Sequence, residues 1–180
     1  MKVVERFPIL KPDSTLAFTT SMTISNDDNF LYLISRPDKV YKYDIVNDSI
    51  LDSVVIVNEA CYGNLACTPD NKYLLITEVA NIIYANDMLG TVAVVDIENF
   101  ETLLRIDTWG VTMEKPVFTS LLGRIEVTPD GSRAISAYED SVYATPPVLF
   151  DLFDLTATSI EGIPGESNIS AFAVGGRIAK

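Results

Sequence analysis

At 180 residues, with 48% hydrophobic and 21% charged residues, the chain is long enough for one domain with a sizeable core and too apolar to be disordered. Lys and Arg number 13 against 25 Asp and Glu, a net charge of −12, which argues against nucleic acid or an anionic membrane as partner because phosphate binding needs a basic stripe. The chain holds 0 histidines, which removes the commonest general base and metal ligand.

The first residues, MKVVERFPILKPDS, lack the long apolar core of a signal peptide, and no stretch approaches the roughly 20 apolar residues of a membrane helix. A soluble chain, cytoplasmic by default, is the expectation. Residues 2–9 alternate in polarity like a strand. Thr19–Ile24 is strand-like, and Asn26-Asp27-Asp28-Asn29 is a turn cluster in which Asn and Asp bond their own backbone. Phe30–Ser35 is a nearly continuous apolar run, as in a strand covered on both faces. Arg36-Pro37-Asp38 turns the chain, Val40–Ile45 alternates, Val46–Ser49 turns again, and Ile50–Val57 completes a group of four strands.

The same order returns. Thr68 follows Ser25 by 43 residues, and Phe30 to Leu33 falls on Tyr73 to Ile76. A delayed third strand, Thr91–Asp96, and an outer strand, Thr102–Asp107, follow. Thr128 comes 60 residues after Thr68, between a first strand at Gly123–Thr128 and a second at Ser132–Tyr138. A third strand is read at Val148–Phe153, placing Asp154 as the counterpart of Asp44 and Asp96. Residues 169–174 read as one more inner strand. Units of about 40–60 residues, each of four short strands, are the signature of propeller blades. The expected fold is all-β: a single partial β-propeller over residues 1–180, with four-stranded antiparallel blades at about 17–57, 63–108 and 121–162 and extra strands at about 2–9 and 169–174. Because closed propellers have about 4–8 blades, the chain is expected either to be part of a larger ring or to be completed by a protein partner or a second copy.

The turn and strand motifs resemble the YVTN-type family of β-propeller repeats. The matching residues are Thr68-Pro69-Asp70-Asn71-Lys72-Tyr73-Leu74-Leu75-Ile76 with Gly90-Thr91-Val92-Ala93-Val94-Val95-Asp96, and again Thr128-Pro129-Asp130-Gly131-Ser132-Arg133. The resemblance covers about residues 17–162. It implies the fold, and it leaves function open between binding modules, surface-layer proteins, quinoprotein dehydrogenase subunits and lactonase-like proteins.

The turn aspartates Asp27, Asp70 and Asp130, and the strand-end aspartates Asp44, Asp96 and Asp154, recur in every unit and so read as turn-shaping residues rather than metal ligands or catalysts. Cys61 and Cys67, if joined by extended chain, would stand ~20 Å apart, beyond disulfide reach, although a turn at Tyr62-Gly63-Asn64 would bring them closer. They read as small apolar residues. The sequons at Asn47 and Asn168 read as chance without a secretory signal. No nucleophile elbow, phosphate-binding glycine loop or zinc or haem cluster is present. No cofactor and no metal is therefore expected, and a fragment of a propeller enzyme is the alternative to a non-catalytic binding module. In a repeat scaffold, function concentrates in loops that break the repeat. Three do so: 78–89, 109–122 and 138–147. They carry the expected ligand- or partner-binding residues Glu78, Asn81, Tyr84, Asn86, Asp87, Trp109, Tyr138, Glu139, Asp140 and Tyr143.

Overall fold

The computed structural model describes residues 19–35, 39–56, 63–79, 90–107, 122–138 and 148–159. Among them the chain is all-β, with three four-stranded antiparallel sheets, each a meander in sequence order. Blade one is β1 (Thr19–Ile24), β2 (Phe30–Ser35), β3 (Lys39–Asp44) and β4 (Ser49–Val55). Blade two is β5 (Leu65–Cys67), β6 (Tyr73–Val79), β7 (Gly90–Asp96) and β8 (Glu101–Asp107). Blade three is β9 (Leu122–Val127), β10 (Arg133–Tyr138), β11 (Val148–Asp151) and β12 (Thr156–Ser159). The strands expected at 2–9 and 169–174 lie outside the described residues.

The blades stack through their faces. Tyr32, Ile34, Val40 and Val54 of blade one meet Leu65, Leu74, Ile76, Ala93 and Val95 of blade two in one buried cluster. The opposite face of blade two, with Ala66, Leu75, Val92, Val94 and Ile106, meets Ile125, Ala134, Val148 and Phe150 of blade three in a second. Alternate residues of β6 and β7 therefore serve different interfaces, and those of β2 serve one interface and one cluster within blade one, which is why these strands read as continuous apolar runs. Leu33, Tyr41 and Tyr43 form a separate cluster on the other face of blade one. The first strands gather together, with β5 packed beside β1 and β9. They form the inner wall of a partial β-propeller.

The repeat extends to backbone detail. A bulge falls between Lys42 and Tyr43 in blade one and between Val94 and Val95 in blade two. The last turn residue takes a left-handed conformation in each blade: Asp48 (φ 50°), Phe100 (φ 53°) and Leu155 (φ 56°). At the entry to blade two, a Cβ on Gly63 would lie 2.2 Å from the Thr77 carbonyl oxygen, so only glycine lets β5 approach β6 there.

One correction concerns blade three. β11 ends at Asp151, not Phe153, and it is Asp151 whose carboxylate accepts hydrogen bonds from the N–H groups of Phe153 (3.0 Å) and Asp154 (3.2 Å). Asp44 does the same for Val46 and Asn47, and Asp96 for Asn99. Phe153 is apolar yet belongs to the turn, which shifts the true counterpart three positions upstream of Asp154.

Candidate functional site

Antiparallel meanders place the β1–β2 and β3–β4 turns, with their counterparts, on one rim; the second-to-third strand connections leave from the other. Glu78 and Tyr138 lie near the ends of β6 and β10, in register with Thr91 and Leu122. They hold equivalent positions in neighbouring blades, so residues 80–89 and 139–147 depart from the same rim. Asn81, Tyr84, Asn86, Asp87, Trp109, Glu139, Asp140 and Tyr143 lie outside the described residues.

The turn rim repeats one hydrogen-bonded device three times. Ser25, Thr68 and Thr128 each donate their hydroxyl to an aspartate two residues on: Asp27 (2.5 Å), Asp70 (2.6 Å) and Asp130 (2.5 Å). Each hydroxyl oxygen accepts the N–H of the first residue of the next strand: Phe30 (2.9 Å), Tyr73 (2.9 Å) and Arg133 (3.0 Å). The same carboxylates accept backbone N–H groups from Asn29, Lys72 and Ser132. These donors favour the ionised carboxylate. The Ser25 hydroxyl, then Asn29, lowers the pKa of Asp27; the Thr68 hydroxyl lowers that of Asp70. The Thr128 hydroxyl, then Ser132, lowers that of Asp130 to about 2. The recurrence assigns these aspartates to the turns.

Neighbouring turns touch differently at the two junctions. Between blades one and two, the Asn71 carboxamide oxygen accepts from the Asn26 N–H (2.7 Å) and Nδ2 (3.2 Å), and Asn26 Nδ2 also donates to the Thr68 carbonyl (2.8 Å). Between blades two and three the equivalent residues are Pro69 and Gly131, and a Cβ on Gly131 would lie 3.5 Å from Pro69 Cδ. Farther out, Lys42 Nζ donates to the Ile97 carbonyl (2.8 Å) and lies 4.9 Å from the Phe30 ring centre and 5.9 Å from that of Phe100.

Two recesses are formed by described residues. A cavity of about 620 Å³ follows the inner strands, with Ser21, Asn64, Cys67, Arg124 and Glu126 among its polar lining. Ser21 Oγ donates to Asn64 Oδ1 at 3.4 Å. Cys67 is a free thiol. Burial, then the charge of Asp70, pushes its pKa up to about 11, so it is protonated at neutral pH and poorly nucleophilic. Nearby, the Tyr32 hydroxyl is buried without a hydrogen-bond partner, and burial raises its pKa. The second recess, of about 530 Å³, lies on the turn rim between blades two and three, lined by Pro69, Asp70, Lys72, Tyr73, Asp130, Leu152 and Phe153. Sequence reading missed both, because each draws its lining from strands or turns far apart in the chain. Among the described residues no group of carboxylate, cysteine or histidine side chains is arranged to hold a metal, and no helix is long and apolar enough to cross a membrane.

No family model and no curated protein matches the sequence. Solved structures do match. Hydrazine synthase from Kuenenia stuttgartiensis superposes with a TM-score of 0.60 at 16% identity, over 88% of this chain and 38% of that one. U3-55K gives 0.60 at 9% identity, over 83% and 41%, and the WD40 repeats of RRP9 give 0.58 at 9%, over 79% and 38%. This chain is thus similar in fold to propeller proteins and spans about two fifths of each of those chains. At such identities the likeness carries the architecture alone.

Proposed function

We propose that the chain is a non-catalytic binding and scaffold module, built of YVTN-like propeller repeats, that engages a protein or a polar ligand through its loop rim. The observation that supports this reading is the equivalence of Glu78 and Tyr138 at the ends of β6 and β10. It sends the segments carrying Asn81, Tyr84, Asn86 and Asp87, and Glu139, Asp140 and Tyr143, off the same rim of adjacent blades. Trp109 belongs to the segment that follows β8 in sequence, and β8 ends on that rim. Tyr and Trp supply large contact area at low entropic cost, and the carboxylates and amides supply directional hydrogen bonds. The partner is a protein, or a second copy of the chain that continues the ring.

The test replaces residues 80–89 and 139–147 with short Gly-Asn turns. A protein captured by the original chain is purified, and its affinity for both forms is measured by calorimetry, with light scattering on each form alone. Affinity at least ten-fold weaker for the replaced form supports the reading; a doubled mass that the replacement halves identifies the partner as a second copy. Equal affinity together with unchanged mass removes the loops from the function.

A further inference from the structure

The groove between blades two and three on the turn rim is not required by the repeat. One wall is Pro69 and Tyr73, the other Leu152 and Phe153. Phe153 is 84% exposed. The equivalent turn position holds Val46 in blade one and Glu98 in blade two, so neither the turn nor the packing calls for an aromatic ring. The Asp151 carboxylate fixes the backbone that carries Phe153. The ring is thus presented by a turn already ordered before binding, which lowers the entropic cost of using it as an anchor.

The groove has a charge pattern as well. Asp70 and Asp130 line it as carboxylates that stay ionised well below neutral pH. Each has one oxygen engaged within its own turn, and Asp130 also accepts the Ser132 hydroxyl on the other at 2.9 Å. A carboxylate retains further acceptor sites beyond these bonds. The single cation of the lining, Lys72, lies 4.9 Å from the centre of the Tyr73 ring. Exposed apolar surface flanked by ionised carboxylates, in a chain of net charge −12, disfavours anions.

We propose that this groove is an interaction surface for a basic and apolar peptide segment of a partner protein. An apolar side chain packs on Phe153 and Pro69, and a neighbouring Lys or Arg faces Asp70 and Asp130. The aromatic ring supplies the buried anchor, and the carboxylates supply orientation and a salt-dependent encounter rate. The surface lies on the rim opposite the loop segments and does not depend on them.

Fluorescence anisotropy on the full chain tests this, with a labelled eight-residue peptide alternating Arg and Leu and its counterpart alternating Glu and Leu. The decisive variant is Phe153→Val, which places the blade-one residue in the turn and leaves the charge unchanged; matched urea midpoints establish that it folds. The Arg-Leu peptide is expected to bind, at least five-fold more weakly to Phe153→Val and at least ten-fold more weakly in 500 mM than in 50 mM NaCl. The Glu-Leu peptide is expected not to bind, and the loop-replaced protein to bind as the original does. Equal affinity for both peptides, equal affinity of Phe153→Val and the original, or no binding of the Arg-Leu peptide at 1 mM overturns the proposal.

Discussion

Asp28, Asn71 and Gly131 occupy the same place in three successive turns, with φ of 61°, 57° and 74°. Each N–H donates back to the residue that opens its turn: Ser25, Thr68 or Thr128. The left-handed conformation strains residues with a Cβ, least so Asn and Asp. Asp28 is exposed, so Asp28→Gly relieves this strain at little other cost and is expected to raise stability by about 0.5 kcal/mol. Asn71 has the same backbone but accepts two hydrogen bonds from Asn26 in the adjacent blade. Asn71→Gly is therefore expected to lower stability by about 0.5–1 kcal/mol despite the relief. Urea unfolding of both variants checks the opposite signs; equal shifts would mean that the Asn26 contact contributes nothing. The turns were legible in sequence because Ser or Thr, a carboxylate two residues on, and an Asp, Asn or Gly next form a local pattern. The Asn26–Asn71 contact was not, because its partners are 45 residues apart.

At the scale of the strand, polarity alternation over Val40–Ile45 invites the view that Lys42 and Asp44 face water. Lys42 instead shares a face with Val40, directed to blade two, and its ammonium reaches the Ile97 carbonyl in the next turn. A lysine that lays its stem along an apolar junction and places its head on a carbonyl and two rings reads as surface until the neighbouring blade is known. Lys42→Met keeps the stem and removes the head. It is expected to cost about 1–2 kcal/mol through the lost hydrogen bond and cation–π contacts. For a chain of this size that corresponds to a fall of roughly 2–8 °C in the thermal midpoint. Scanning calorimetry reads it, and an unchanged midpoint would remove Lys42 from the junction's energetics. Phe153 misled sequence reading in the opposite sense: its apolarity extended β11 by two residues, whereas Asp151 ends the strand by capping the turn.

Across the whole molecule, stability accumulates blade by blade, one buried cluster per junction. The turn rim adds a pH dependence shared by all three blades. Asp27, Asp70 and Asp130 have pKa values below the ordinary 3.8 in the folded chain, so the folded state binds fewer protons there than the unfolded state. Their contribution is present above that ordinary value and is lost as pH falls through the folded values, about 2 for Asp130. The expected outcome is a steep loss of stability between about pH 4 and pH 2, and a shallower one in a protein with all three changed to Asn. Urea midpoints at pH 5 and pH 2.5 check this; equal slopes would show that the turns do not govern the acid limb. The architecture was legible because the chain states its unit three times. The inner cavity and the rim groove were not, because a recess between units belongs to no single copy. The two junctions also differ in a way that concerns ancestry. Asn26 meets Asn71, whereas Pro69 meets Gly131. Blade two copied into the third slot would set proline against asparagine, without the N–H that Asn71 accepts. Blade two therefore carries an address as well as a fold, whereas blade three holds Pro129 and Gly131 together and would repeat the Pro69–Gly131 pairing against a copy of itself.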